Sequence, residues 1–162
     1  MFILLDIDGV MIDASPWKRP EILEDNFMNF NSKSTAALSK IMDATQAEII
    51  LTTSHKDSFN LTQWKSIFKK RNIPITTIKK LPKNTENLNR KDEILNWYFT
   101  NKIEDNFIII DDDKSLNLLP EFLKEKLILT SATVGLTNYL ADIAIENLNK
   151  QESVSKMNEI LV

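Results

Sequence analysis

MFILLDIDGV, residues 1–10, is an apolar run that stops at two acids two positions apart. A strand covered on both faces reads as a continuous apolar run, so residues 2–5 are predicted to form a buried strand. Asp6 and Asp8 fall at its carboxyl end, with Gly9 in the turn that follows. The same pattern recurs twice. AEIILTT at 47–53 brings Thr52, Thr53 and then Ser54 to a strand end, and FIIID at 107–111 runs into Asp111, Asp112 and Asp113. Shorter strands are predicted at 75–78 and 126–130. Helical patterns fill the intervals: 34–42 with Ser32 or Ser34 as cap, from Asp57 or Ser58 to about Lys70, 90–100, 116–123 and 136–149. Strict alternation of strand and helix predicts an α/β fold, a doubly wound and mostly parallel sheet with helices on both faces. Ligands of such sheets bind beyond the carboxyl ends of the strands, which is where the acids and hydroxyls collect.

Composition narrows the chemistry. The chain of 162 residues suits a single domain over 1–162. It has no cysteine, which removes disulfides, thiolate metal sites and cysteine nucleophiles, and one histidine, His55, which removes a multi-histidine metal centre. With two glycines, Gly9 and Gly135, there is neither a P-loop nor a GxGxxG fingerprint. The net charge is −3. No apolar run approaches the ~20 residues of a membrane span, and the N-terminus lacks the basic region and cleavage site of a signal peptide. The expectation is a cytoplasmic protein without a membrane partner.

Five carboxylates converging on one crevice repel one another unless a cation neutralises them. Mg²⁺ is the economical candidate, because it takes hard oxygen ligands and keeps several waters. An Asp can act as nucleophile in phosphoryl transfer, and an acid two residues on can protonate the leaving oxygen and later activate water. A hydroxyl and an ammonium would hold the other phosphate oxygens, and Thr52 and Lys91 offer them.

These motifs resemble those of the haloacid dehalogenase (HAD) superfamily of phosphohydrolases. DIDGV after an apolar strand is similar to its DxDG[TV] opening. A strand ending in Thr or Ser, a Lys at a helix start and an apolar strand ending in paired acids follow in the superfamily's order. ILTTSHK, the spacing of Lys91, Ile94 and Trp97, IIIDDD and VGLT near 134–137 resemble more narrowly the HAD domain of Swiss-army-knife RNA repair proteins. The likeness covers roughly residues 2–149. It implies a Rossmannoid fold with Asp6 as nucleophile and Asp8 as general acid/base, Asp8 also ligating Mg²⁺ through its backbone carbonyl. It implies Thr52 and Lys91 as phosphate-binding groups, with Thr53 as a second hydroxyl, and Asp111 and Asp112 as metal-site acids. Three consecutive Asp stand where the superfamily often has Gly-Asp, so Asp113 is a third candidate ligand. Strand alternation puts Thr53 on the opposite face from Thr52, which favours Thr52. A response-regulator receiver uses similar parts in another order, with its acidic pair first and the phosphate-accepting Asp mid-chain.

Neither inter-motif gap has room for a folded cap, so the domain is expected to be capless or minimally capped. Capless members of the superfamily tend to act on macromolecules. From Lys56 to Lys91 there are ten basic residues and two acids, a net +8. Such a segment either steers a polyanion or forms a solvated helix face. Trp64 and Phe68, spaced i and i+4 with Leu61, read as core, as does Trp97. Trp17 reads either as a substrate contact or as lid packing, and His55 either as a substrate contact or as a helix-entry residue. The expected function is a Mg²⁺-dependent phosphatase working through an aspartyl-phosphate on phosphorylated nucleic-acid ends, RNA in particular. The alternatives are a small-molecule or nucleotide phosphatase with loop 11–32 as a lid, and a catalytically silent binding module.

Overall fold

The computed structural model describes residues 1–103 and 105–160, with side chains through residue 150. In chain order the elements are β1 (Phe2–Leu5), α1 (Ser32–Thr45), β2 (Glu48–Leu51), α2 (Leu61–Lys70), β3 (Ile78–Lys80), α3 (Arg90–Asn101), β4 (Phe107–Asp111), α4 (Glu121–Lys124), β5 (Leu127–Leu129) and α5 (Asn138–Ile160). The five strands form one sheet in the order β3-β2-β1-β4-β5, every pair parallel. The chain leaves β1 toward β2 and β3, then returns across the sheet to β4 and β5. Strand order therefore reverses beside β1, and the crevice of an open α/β sheet lies at that point.

Strand parity divides the core in two. Ile3, Leu5, Ile49, Leu51, Ile108 and Ile110 face α1, α2 and α5 in one apolar cluster, with Leu38, Ile41, Trp64, Phe68 and Ala141. Leu4, Ile50, Phe107 and Ile109 face α3 and α4 in the other, with Ile94, Trp97, Leu116 and Leu123. Trp64, Phe68 and Trp97 are thus core residues, as their spacing predicts, whereas Leu61 at the start of α2 is 40% exposed. Among the described residues no helix is long and apolar enough to cross a membrane.

Several boundaries differ from the sequence reading, each for a local reason. Asn31 caps α1, its side chain accepting from the Lys33 N–H, while Ser34 is buried and donates to the Leu136 carbonyl at 3.1 Å. Asn60 caps α2 through a reciprocal capping box with Gln63, because Asp57 is taken up in a 3₁₀ turn over Ser54–Asp57. β3 begins three residues later than 75–78, since the chain leaving α2 through Pro74 first reaches the sheet when the Thr77 carbonyl accepts from Ile49 N–H. The helix expected over 116–123 is split by Pro120 into a 3₁₀ turn at Lys114–Leu118 and the single-turn α4. Proline lacks the N–H a continuous helix needs and holds Leu119 in extended geometry.

The long connection from β1 to α1 carries no sheet or helix of its own beyond two isolated bridges, Asp8 to Ile12 and Ile22 to Met28. It is fastened from outside. The guanidinium of Arg71, 4% exposed, donates to the Phe27 and Met28 carbonyls and, at 2.7 and 3.2 Å, to both carboxylate oxygens of Asp25. It also sits over the Phe30 ring at 4.9 Å. One of the ten basic residues of 56–91 is therefore an internal clamp.

Candidate active site

Register builds the site before any side chain is considered. Leu5 pairs with Leu51 on one side and Ile110 on the other, so Asp6, Thr52 and Asp111 each lie one step past the paired residues. The Thr52 N–H donates to the Leu5 carbonyl and the Asp6 N–H to the Ile110 carbonyl, both at 3.0 Å. All three continue the parity of Leu4, Ile50 and Ile109, and so face the amino end of α3. They are nearly closed to solvent: Asp6 is 6% exposed, Thr52 and Asp111 0%.

Arg90, the first residue of α3, fills the space between the acids. Its Nη2 lies 3.3 Å from Asp6 Oδ1 and its Nε 3.1 Å from Asp111 Oδ2, while Nη1 donates to the Thr52 carbonyl. Glu93, one turn further on, accepts from Arg90 Nη1 at 3.1 Å and from the buried Lys56 Nζ at 2.7 Å. Arg90 and Glu93 continue the stripe of Ile94 and Trp97 at i, i+3, i+4 and i+7, the face α3 turns to the sheet. Lys91 lies off this stripe, its Nζ 3.3 Å from Asp92 Oδ1. The basic group at Asp6 is thus Arg90, and the periodicity of the helix was the available signal for it.

The remaining site candidates separate clearly. Thr53 points to the opposite face and caps the turn over Ser54–Asp57, its Oγ1 accepting from the His55 N–H at 3.3 Å. Asp113 caps the 3₁₀ turn at Lys114–Leu118, its Oδ1 accepting from the Ser115 N–H at 2.8 Å. Asp112 instead joins Asp6 and Asp111, with one carboxylate oxygen from each within 4.8 Å of the others. Asp8 is half exposed and outside that group of three, its Oδ2 2.9 Å from Nε2 of His55. Trp17 is 93% exposed on the loop after β1.

Gly9 lets these acids approach. It holds φ +71, and a Cβ there would lie 2.3 Å from the Asp112 carboxylate, so neither the turn nor the position of Asp112 tolerates a side chain. Gly135 is equally fixed, with φ +76 and an added Cβ 2.7 Å from the Val10 carbonyl. It packs the loop after β5 against the turn after β1.

The electrostatics follow from burial. Desolvation pushes the Asp6 carboxyl up to about 6 against the opposing pull of Arg90. Asp111 is pushed up to about 7, by burial first and then by the charge of Asp6. Asp112 is raised as well, chiefly by burial. Thr52 Oγ1 is buried without a hydrogen-bond partner, while Asp111 Oδ2 and Arg90 Nε, also buried, meet each other at 3.1 Å as an ion pair and make no hydrogen bond elsewhere. A buried polar atom without a partner costs ~1–3 kcal/mol, so Thr52 Oγ1 points to a group that completes it. Beside these residues opens a cleft of about 470 Å³, lined by Arg90, Lys83, Asn84, Ser54 and Asp113 among others.

A parallel sheet in this order defines an α/β domain of the HAD-like Rossmannoid class, here with DxD after the first strand, a buried hydroxyl after the second and paired acids after the fourth. The family model described as the HAD domain in Swiss Army Knife RNA repair proteins matches residues 2–141, and the chain belongs to that family. Membership gives it hydrolase chemistry of the phosphatase type in an RNA-repair setting at the level of the family. No curated protein and no solved structure matches the chain significantly.

Proposed function

We propose that this domain is a Mg²⁺-dependent phosphatase that removes a terminal phosphate from RNA ends through an aspartyl-phosphate on Asp6. The observation that carries the reading is the buried row Asp6, Thr52 and Asp111 around Arg90, in which Thr52 Oγ1 lacks a partner. The donor set suits a hard cation: carboxylates of Asp6, Asp111 and Asp112, with no nitrogen or sulfur ligand among them. These three side chains, with the backbone carbonyl of Asp8, would hold Mg²⁺. Bound there, the ion would neutralise the acids and withdraw charge from a phosphate oxygen.

The residues then divide the work. Asp6 attacks phosphorus in line, the bond from phosphorus to the leaving oxygen breaks, and Asp8 delivers its proton to that oxygen. Thr52 Oγ1 and the Arg90 guanidinium hold the oxygens on which charge develops. In the second step Asp8 takes a proton from water as the water attacks phosphorus. The acyl-phosphate bond breaks, inorganic phosphate leaves, and Asp6 and Asp8 return to their starting protonation.

The open cleft beside Arg90 supports a macromolecular end as substrate, since no inserted cap covers it among the described residues. The test is a panel of 3′- and 5′-phosphorylated oligoribonucleotides, mononucleotides and sugar phosphates assayed with Mg²⁺. Asp6→Asn is expected to abolish turnover of every substrate the wild type accepts. Turnover of mononucleotides in preference to oligonucleotides would replace the RNA-end reading with the small-molecule one, and retained activity in Asp6→Asn would remove Asp6 as nucleophile.

A further inference from the structure

Asp8 lies outside the group of oxygens formed by Asp6, Asp111 and Asp112, and its carboxylate meets His55. Nε2 of His55 lies 2.9 Å from Asp8 Oδ2, and the histidine side chain is 33% exposed. An exposed pair of this kind adds little to stability. The way the ring is held gives it another use. The His55 N–H donates to Thr53 Oγ1, and the His55 carbonyl accepts from Ser58 N–H at 2.9 Å. The ring meets Phe27 edge-on, with centroids 5.5 Å apart. Phe27 is 4% exposed, packs on Phe59 and Trp64, and is held through its carbonyl by Arg71. The histidine is therefore set against the core on one side and within 2.9 Å of Asp8 Oδ2 on the other.

From this geometry we infer that His55 is a positioning residue for Asp8: it donates Nε2–H to Oδ2 and so leaves Oδ1 to carry the proton given to the leaving oxygen. Asp8 is half exposed, and without that donor its carboxyl is free to rotate in solvent. With the donor, one oxygen is committed and the other is aimed. In the first step the proton on Oδ1 passes to the leaving oxygen as its bond to phosphorus breaks, and the resulting carboxylate keeps the hydrogen bond from His55. In the second step Oδ1 recovers a proton from the attacking water. The inference rests on the phosphatase reading above and adds a residue to it.

Leaving groups separate this role from a structural one. An alkyl leaving oxygen, such as a ribose hydroxyl, needs the proton as it departs, whereas p-nitrophenolate leaves without it. Because kcat/KM reports on steps through departure of the leaving group, His55→Ala is expected to lower kcat/KM on a phosphorylated oligoribonucleotide ~10- to 100-fold. The loss on p-nitrophenyl phosphate is expected to be less than ~3-fold, the charge on that leaving group needing no proton. His55→Gln, which can present an N–H to the same oxygen, should recover most of the first loss. The ratio between the two substrates is independent of the folded fraction of each variant, so instability cannot imitate it. Equal losses on both substrates, no loss on either, or a Gln variant no better than Ala would overturn this inference alone. Absence of Asp6-dependent turnover in the wild type would overturn the phosphatase reading and this inference with it.

Discussion

At the scale of single residues, one position separates Arg90 from Lys91, and one helical step turns a side chain by about 100°. That step decides which cation meets Asp6. Arg90 is expected to matter most: Arg90→Ala should lower kcat ~100- to 1000-fold, the usual loss when a donor to developing charge is removed. Lys91→Ala should cost less than ~3-fold by the same reasoning. Steady-state kinetics on a common substrate, with Arg90→Lys as the charge-conserving control, checks both, and a larger loss at Lys91 would reverse the assignment. The acids carry a second prediction. A carboxyl raised in the fold is protonated there while it is already ionised in the unfolded chain, so it withdraws stability as pH rises between the two values. For Asp111 that window runs from its ordinary value near 4 to about 7. In chelator, Asp111→Asn should gain on the wild type by at least ~1 kcal/mol between pH 4 and pH 8. Mg²⁺ should erase the difference by stabilising the wild type alone. Denaturant titrations at the two pH values decide it, and a pH-independent difference would contradict the buried, raised carboxyl.

At the scale of elements, the loop after β1 is a working part because Arg71 holds it. The Asp25 carboxyl is held below its ordinary value chiefly by hydrogen bonds from Arg71, so the pair stabilises the fold above the unfolded value and loses that effect as pH falls through the folded one. Arg71→Ala removes a buried cation from five oxygens and should destabilise the protein by ~3–5 kcal/mol. It should also lower kcat/KM by loosening Phe27 beneath His55. A thermal melt and a kinetic assay on the folded fraction measure the two effects, and a variant as stable as wild type would show that the loop stands without the clamp. Nothing in residues 11–32 announces this clamp, because its two halves are far apart in sequence. What was legible depended on burial. β1, β2 and β4 are covered on both faces, so their apolar runs directly locate them and the acids and hydroxyl that follow them. β3 is a three-residue edge strand whose start is set by where the chain meets Ile49, which pattern cannot show. The caps Asn31 and Asn60 were hidden among neighbouring Ser and Asp of equal propensity, and Pro120 alone was enough to divide a helix.

At the scale of the whole molecule, the charge of residues 56–91 is less free than the sequence suggests. Lys56 is paired with Glu93, Arg71 with Asp25, Lys79 with Glu48, Lys80 with Asp57, and Lys91 with Asp92. Arg90 is committed to the site. Lys65, Lys69 and Lys70 are exposed on α2, and Lys83 is exposed where it lines the cleft beside Arg90. A broad basic surface would release many counterions and give a steep salt dependence, whereas this arrangement leaves a short contact of one to a few phosphates next to the site. For single strands each neutralised phosphate adds about 0.7 to the slope of log affinity against log salt. The expected slope for a phosphorylated oligoribonucleotide is therefore shallow, roughly −1 to −2. Lys83→Ala should reduce it by about 0.7, one phosphate contact, and weaken binding by a similar factor for every sequence. Combined substitution of Lys65, Lys69 and Lys70 by Ala should leave the slope nearly unchanged, since α2 packs on the opposite face of the sheet from α3. The measurement is a fluorescence-anisotropy titration with Asp6→Asn, to prevent turnover, across several salt concentrations. A slope that fell with the α2 lysines and not with Lys83 would move the RNA path to the other face of the sheet, because only groups that touch phosphate change the number of ions released.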